Sequence, residues 1–150
     1  MESDYIYSPE AILSVCEYEA SGDLGLRVQG PDFASAIAAA VHGLVSAILP
    51  PSSVHAEETR TLSATGKDDE ELVVSFLNEV LFLIYVRKWI PKRLEQLSLR
   101  NSEEIVASLV GEAYEPKRHP IDREIKAVTY HDFAITRREN EVTIKFLCDL

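Results

Sequence analysis

The stretch D-L-G-L-R-V-Q-G-P-D-F-A-S-A-I-A-A-A-V-H-G-L-V-S-A-I, residues Asp23–Ile48, changes its hydrophobic period halfway along. Leu24, Leu26 and Val28 alternate with Gly25, Arg27 and Gln29, which predicts a strand with one buried face. Gly30-Pro31-Asp32 reads as a turn, with Asp32 near a helix cap. From there Phe33, Ile37, Val41, Leu44, Val45 and Ile48 recur at helical spacing, so a first helix is expected from about Phe33 to Ile48. Ala36, Ala38, Ala39 and Ala40 let that helix pack closely on a sheet, and Pro50-Pro51 ends it.

Working outward, Val15–Glu19 is a short strand candidate upstream. Ala20–Gly25 (A-S-G-D-L-G) then carries two glycines that permit a tight or left-handed backbone. Downstream, Glu57–Ala64 reads as an amphipathic strand closed by Thr65-Gly66. Asp68–Glu71 opens a second helix with an acidic first turn, which suits the helix dipole. Its apolar stripe (Leu72, Val73, Phe76, Leu77, Val80, Leu81, Ile84) is broad enough to predict the deepest helix of the fold, ending before Pro91. Leu94–Arg100, Glu104–Gly111, Glu124–Tyr130, Phe133–Arg137 and Val142–Cys148 are further strand candidates. The polar turn Arg138–Glu141 makes the last two a hairpin. The expected architecture is α+β, with two main helices packed on a largely antiparallel sheet of roughly six strands. One domain is expected over residues 14–150, preceded by an N-terminal extension over residues 1–13 with a flexible start.

The chain has 150 residues, enough to hide roughly 70% of its unfolded surface without a disulfide or a metal staple. Asp and Glu number 25 against 15 Lys and Arg, a formal charge of -10. That balance opposes non-specific binding to phosphates and favours solubility, cations or a basic protein surface, although a local basic patch is compatible with it. Cys16 and Cys148 are expected as small hydrophobes in apolar strands, with no Cys-x-x-Cys pair. Met1–Tyr7 lacks the apolar core of a secretion signal. The apolar-rich run Leu72–Ile90 carries Asn78, Glu79, Arg87 and Lys88 and is not read as a membrane span, so the cytoplasm is the expected location.

No phosphate-binding glycine fingerprint and no nucleophile elbow occur. The four histidines (His42, His55, His119, His131) lack the spacing of a helical zinc site. Asp23 stands between two glycines on a sharp turn, where backbone carbonyls can also approach a hard cation. Asp149 follows a strongly alternating strand whose Val142, Ile144, Phe146 and Cys148 share one face, which anchors it. Lys126 is open between an exposed strand lysine and one facing an acidic cleft.

These residues resemble a known family. Glu124–His131 (E-I-K-A-V-T-Y-H), followed by a chain end in Asp149-Leu150, is similar to the most characteristic stretch of archeases. Phe76–Leu83 resembles that family's Trp-Leu-Asn-Glu-Leu-Leu-Phe-Leu helix motif. Gly111-Glu112 with Pro116 and His119 resembles its Gly-Glu…His segment, and Asp23–Val28 its Asp-Val-Gly-Ile-Arg-Val strand entry. The chain departs from the family at Ala20, where a histidine is usual. The resemblance implies an accessory protein, not an enzyme, that helps a GTP-dependent RNA ligase of tRNA splicing and RNA repair to become guanylylated and turn over. It implies a divalent metal, calcium by its oxygen ligands, at Asp23, Asp149 and the main-chain oxygen of Leu150. Lys126 and His131 are then candidates to face phosphate or the partner, and RNA is met only through the ligase. The alternatives are a metal- or protein-binding domain without ligase activation and a metal-dependent hydrolase.

Overall fold

The computed structural model describes residues 2–6 and 14–150. Eight strands and two α-helices follow in the order β1 (Glu2–Ile6), β2 (Ser14–Ala20), β3 (Asp23–Gly30), α1 (Phe33–Ile48), β4 (Glu58–Thr65), α2 (Asp69–Tyr85), β5 (Trp89–Arg100), β6 (Glu104–Ala113), β7 (Ala127–Arg138) and β8 (Glu141–Asp149). A single 3-10 turn, Pro51–Ser53, separates α1 from β4. The α+β class and the antiparallel pairing are those expected. The strands, however, form two four-stranded sheets, ordered β1-β5-β6-β4 and β2-β3-β8-β7, instead of one sheet of about six. Of the expected N-terminal extension, residues 2–6 pair with β5 as an edge strand, and Met1 and residues 7–13 lie outside the described residues.

Both helices touch both sheets, so they form a middle layer. This reverses the expectation that α2 is the deepest element. Buried residues cover α1 nearly all round, from Ser35 through Val41 and on through Gly43, Leu44, Val45, Ala47 and Ile48. A helix buried on every side must be slim, and its alanines and Gly43 supply that: a Cβ at Gly43 would meet the Val15 side chain at 2.9 Å. α2 keeps Glu79 and Phe82 exposed.

Each helix starts where its cap dictates. The Asp32 carboxylate accepts the Ser35 N–H at 2.8 Å, and the Asp68 carboxylate accepts the Glu71 N–H at 2.8 Å. Glu71 reaches back to accept the Lys67 N–H at 3.1 Å, close to a reciprocal capping box. α2 ends at Tyr85, and Pro91 falls instead within β5, where the register slips between Pro91 and Arg93. Such an irregularity is where a strand tolerates a residue with no N–H. The two strands expected over Glu124–Arg137 are one, β7, with a bulge between Thr129 and Ala134.

Asn78 joins the helical layer to β7. Its Oδ1 accepts the Val128 N–H at 2.9 Å, and its Nδ2 donates to the Val128 carbonyl at 2.9 Å. One side-chain amide thus stands in for a neighbouring strand. Seven residues along α2, the Tyr85 hydroxyl accepts the Ile125 N–H at 3.0 Å. Replacing Asn78 with Ala orphans both backbone groups of Val128, each costing on the order of 1–3 kcal/mol when buried. Asn78→Ala should therefore lower the free energy of urea unfolding by at least about 2 kcal/mol without changing the slope.

Candidate functional site

β2 and β3 meet in a two-residue turn, Ser21-Gly22, with φ of 51° and 89°. Positive φ at both central positions defines the hairpin turn whose twist matches paired strands, and only glycine adopts the second value without strain. The turn sets Ala20 opposite Asp23 and brings Asp23 into the first position of β3. Next to it, Leu24 pairs with Cys148, so one further step in register sets Asp149 alongside Asp23. Asp149 is also fixed from the other side, because its carbonyl accepts the Lys126 N–H at 2.8 Å.

Asp23 and Leu150 line one open cleft of about 490 Å³, together with Glu17, Glu19, Gly22 and Arg123. Glu17 and Glu19 escape a reading by motif, but strand pairing explains them. Glu17 lies opposite Leu26 and Glu19 opposite Leu24, so acids occupy the helix-side row of an edge strand. Alternating Val15, Glu17 and Glu19 is the only sequence signal for this. Arg123 comes from the loop before β7 and holds Glu17 at 3.3 Å while donating to the Ala47 carbonyl at 3.4 Å. Lys126 is exposed just before β7. His131 rides the β7 bulge, 77% exposed, with Asp132 at 3.5 Å. Neither of these two lines the cleft, and Asp149, one register step from Asp23, does not line it either.

Cys148 sits in the helix-side row of β8 beneath the cleft. Burial pushes its thiol up to about 12, eased by Arg123 and reinforced by Glu17 and Asp23. It is therefore an inert packing thiol. Cys16, expected as a small hydrophobe, is instead exposed on the opposite face of the same sheet, and both cysteines are free.

A second cluster surrounds Glu112, which is 3% exposed. Its Oε2 accepts the His55 N–H at 2.7 Å and meets His119 Nε2 at 2.9 Å, while Oε1 accepts from Arg118 at 2.8 Å. His119 Nδ1 accepts the Glu115 N–H at 2.8 Å, so the ring proton sits on Nε2 and is donated to Glu112. The ring also stacks on Tyr114, with centroids 6.0 Å apart. Burial alone would raise the Glu112 carboxyl, but the His119 and His55 hydrogen bonds and the Arg118 charge outweigh it and hold it below its ordinary range. His55, Glu57 and Glu112 bring potential metal-ligating atoms within 4.8 Å of one another. The Arg118 guanidinium already fills the cation position, 3.5 Å from His55 Nδ1 and 3.9 Å from Glu57. This cluster is a loop lock built around an arginine.

A layer of two helices between antiparallel sheets, with an acidic cleft at the end of one sheet, defines an α+β sandwich domain. Residues 16–150 match the Archease protein family (MTH1598/TM1083), and the chain belongs to that family. It is 29% identical over 123 residues to the protein archease of Pyrococcus abyssi, covering 80% of this chain and 86% of that one. It is 31% identical over 124 residues to the protein archease of Thermococcus kodakarensis, with the same coverage. The fold is shared with the solution structure of Methanobacterium thermoautotrophicum protein 1598, at a TM-score of 0.74 and 20% identity over 91% of this chain and 98% of that one. It is shared too with the crystal structure of a Thermotoga maritima archease described as a possible chaperone, at a TM-score of 0.64 and 18% identity over 89% and 94% of the two chains. No helix among the described residues is long and apolar enough to cross a membrane.

The Glu112 lock sets a pH dependence. A carboxyl held below its unfolded value contributes stability that is present above the ordinary carboxylate range and is lost as pH falls through its folded value. Urea unfolding followed from pH 7 downward should show that loss in the wild type. Glu112→Gln should be less stable at pH 7 by about 1–3 kcal/mol, because the charge-assisted hydrogen bonds of the buried carboxylate are weakened, and its acid dependence should be flatter.

Proposed function

We propose that this chain is an accessory activator of a GTP-dependent RNA ligase, promoting guanylylation and multiple turnover of the ligase in tRNA splicing and RNA repair. Membership of the archease family supports this reading. The observation that carries it is the end of the β2-β3-β8-β7 sheet, where Asp23 and Leu150 share a cleft and Asp149 lies beside Asp23. Asp23, Asp149 and the Leu150 main-chain oxygen are an oxygen-only donor set suited to a hard divalent cation, of which calcium is the one proposed. Glu17 and Glu19 add carboxylates within the same cleft. Held by those residues, a cation would supply positive charge for carboxylate or phosphate oxygens.

This chain's own residues then do the positioning. The Ser21-Gly22 turn and the β8 register fix the two aspartates, and Arg123 restrains Glu17 at the cleft wall. The net charge of -10 favours docking on a basic ligase surface, and the exposed Lys126 and His131 are available to phosphate or partner carboxylates beside it. A cytoplasmic location accompanies this role. A second reading, a metal- or protein-binding domain without ligase activation, draws on Ala20. That residue pairs directly with Asp23, so the family's usual histidine would stand next to the site, and alanine offers it no hydrogen bond.

A multiple-turnover ligation assay with a GTP-dependent RNA ligase, joining 2′,3′-cyclic-phosphate to 5′-hydroxyl ends, tests the proposal. The wild type should stimulate turnover, and Asp23→Ala and Asp149→Ala should each lose roughly tenfold or more of that stimulation, the scale of loss for a weakened metal site. Calcium titration of the chain alone should show matching losses of affinity. Absence of stimulation by the wild type would leave the binding-domain reading; equal stimulation by all three proteins would remove the site.

A further inference from the structure

The β2-β3-β8-β7 sheet turns one face to the helices, and among the described residues no helix packs on the other. Pairing assigns that face: Arg27 lies directly beside Lys145, Gln29 beside Thr143, and Thr143 beside Thr136. Arg138 follows two residues along β7, opposite Glu141. Arg27, Thr136, Arg138, Glu141, Thr143 and Lys145 line one trough of about 190 Å³. Three cations thus face one carboxylate in a chain whose formal charge is -10.

The arrangement is unfavourable without a ligand. Like charges directly opposite across a strand pair destabilise a sheet, and Arg27 and Lys145 are such a pair. Of the seven other arginines, Arg60, Arg93, Arg100, Arg118, Arg123 and Arg137 each hold a carboxylate, and Arg87 lies over the Phe82 ring. Among the described residues, Arg27 and Arg138 form no ion pair. Lys145 lies over the Tyr18 ring, 5.5 Å from its centroid. The one acid of the trough, Glu141, is engaged by Gln29 at 3.5 Å.

We propose that this face binds the sugar-phosphate backbone of a single-stranded nucleic acid, with Arg27, Lys145 and Arg138 contacting successive phosphates. The trough is smaller than the roughly 300–1,000 Å³ of a small-molecule pocket. From the Arg27–Lys145 pair to Arg138 is four residues of β8, about 14 Å of strand, which suits a linear polyanion better than one compact anion. Thr136 and Thr143 add hydroxyls of the kind that hydrogen-bond phosphate oxygens. The adjoining β7 bulge carries Tyr130, 53% exposed, as an aromatic surface for a base. Asp23 and Asp149 lie at the far end of the same face, so a strand would sit over the basic end alone.

The test needs no ligase, so its failure and the failure of the activator reading are distinguishable. Fluorescence anisotropy of the full chain with a labelled single-stranded RNA oligonucleotide, and with DNA of the same sequence, gives affinity against salt. Three phosphate contacts predict a log–log salt slope of about −2, so affinity should fall on the order of 20-fold between roughly 50 and 200 mM salt. Arg27→Ala/Arg138→Ala should lose most of the binding and bring the slope towards about −0.7. Lys67→Ala/Lys117→Ala, an equal change in net charge at exposed sites away from this face, should bind as the wild type does. Circular-dichroism melts of both variants exclude misfolding as the cause. No binding by the wild type at low salt, equal losses in the two double variants, or displacement by polyglutamate as effective as by RNA would each overturn the proposal.

Discussion

The paired hydrogen bonds between the Asn78 amide and the Val128 backbone are the contact on which the far end of the molecule depends. β7 belongs to one sheet, while α2, which carries Asn78, also packs on the other. The amide fixes both the depth and the register of β7 against the helical layer, and the Tyr85 hydroxyl fixes the Ile125 N–H three residues earlier, just before the strand. Between them stands Lys126, whose N–H is thereby aimed at the Asp149 carbonyl. A polar side chain on a mostly apolar helix thus determines where the last strand presents its aspartate. Apolar packing could hold β7 down, but it has no comparable preference for one register over a slip by two residues.

A second polar centre does the same for the loops at the opposite edge. Glu112 gathers the backbone of His55, the ring of His119 and the guanidinium of Arg118 around one buried carboxylate. Every oxygen there has a donor, which is the condition under which a buried charge is tolerated. It ties the segment after α1 and the segment after β6 to the same point. The layered fold needs such ties because its middle layer is smooth: α1 presents mainly alanine, valine and leucine in all directions. Small side chains allow the two sheets to close on the helix, yet they give little to fix its neighbours' loops.

Local chemistry was legible in the sequence, and long-range pairing was not. The change of period at Gly30-Pro31-Asp32 located α1 from Phe33 to Ile48, and the cap at Asp32 is where the sequence placed it. The acidic start of α2 and the β7–β8 hairpin follow the same local logic. Division into two sheets depends on β5 and β6 turning to β1 and β4 while β8 inserts between β3 and β7. Alternation says which face of a strand is buried but never which strand lies beside it. The same limit hid Glu17 and Glu19, whose position in the acidic cleft follows only once β2 is registered on β3. Depth was misjudged for a related reason: a wide apolar stripe marked α2, whereas the more enclosed helix is the one with the smaller side chains.

The two ends of the open sheet face carry opposite charge, and one register produces both. Residues Asp23, Gly25 and Arg27 alternate onto that face from β3, as Asp149, Leu147 and Lys145 do from β8. Two acids flank the Leu24–Cys148 pair at one end and cation pairs with cation at the other, so neither end neutralises itself across the strands. Between them Gly25 leaves room for the Tyr18 ring, which a Cβ would strike. Burial, followed by the Asp132 charge, pushes the Tyr18 phenol up, keeping it neutral. The centre of the face is therefore an uncharged aromatic spacer about two residues long. Opposite charges that could have been interleaved into mutual pairs are instead sorted to separate ends, a distribution that costs the free sheet stability and leaves each end open to a ligand of the other sign.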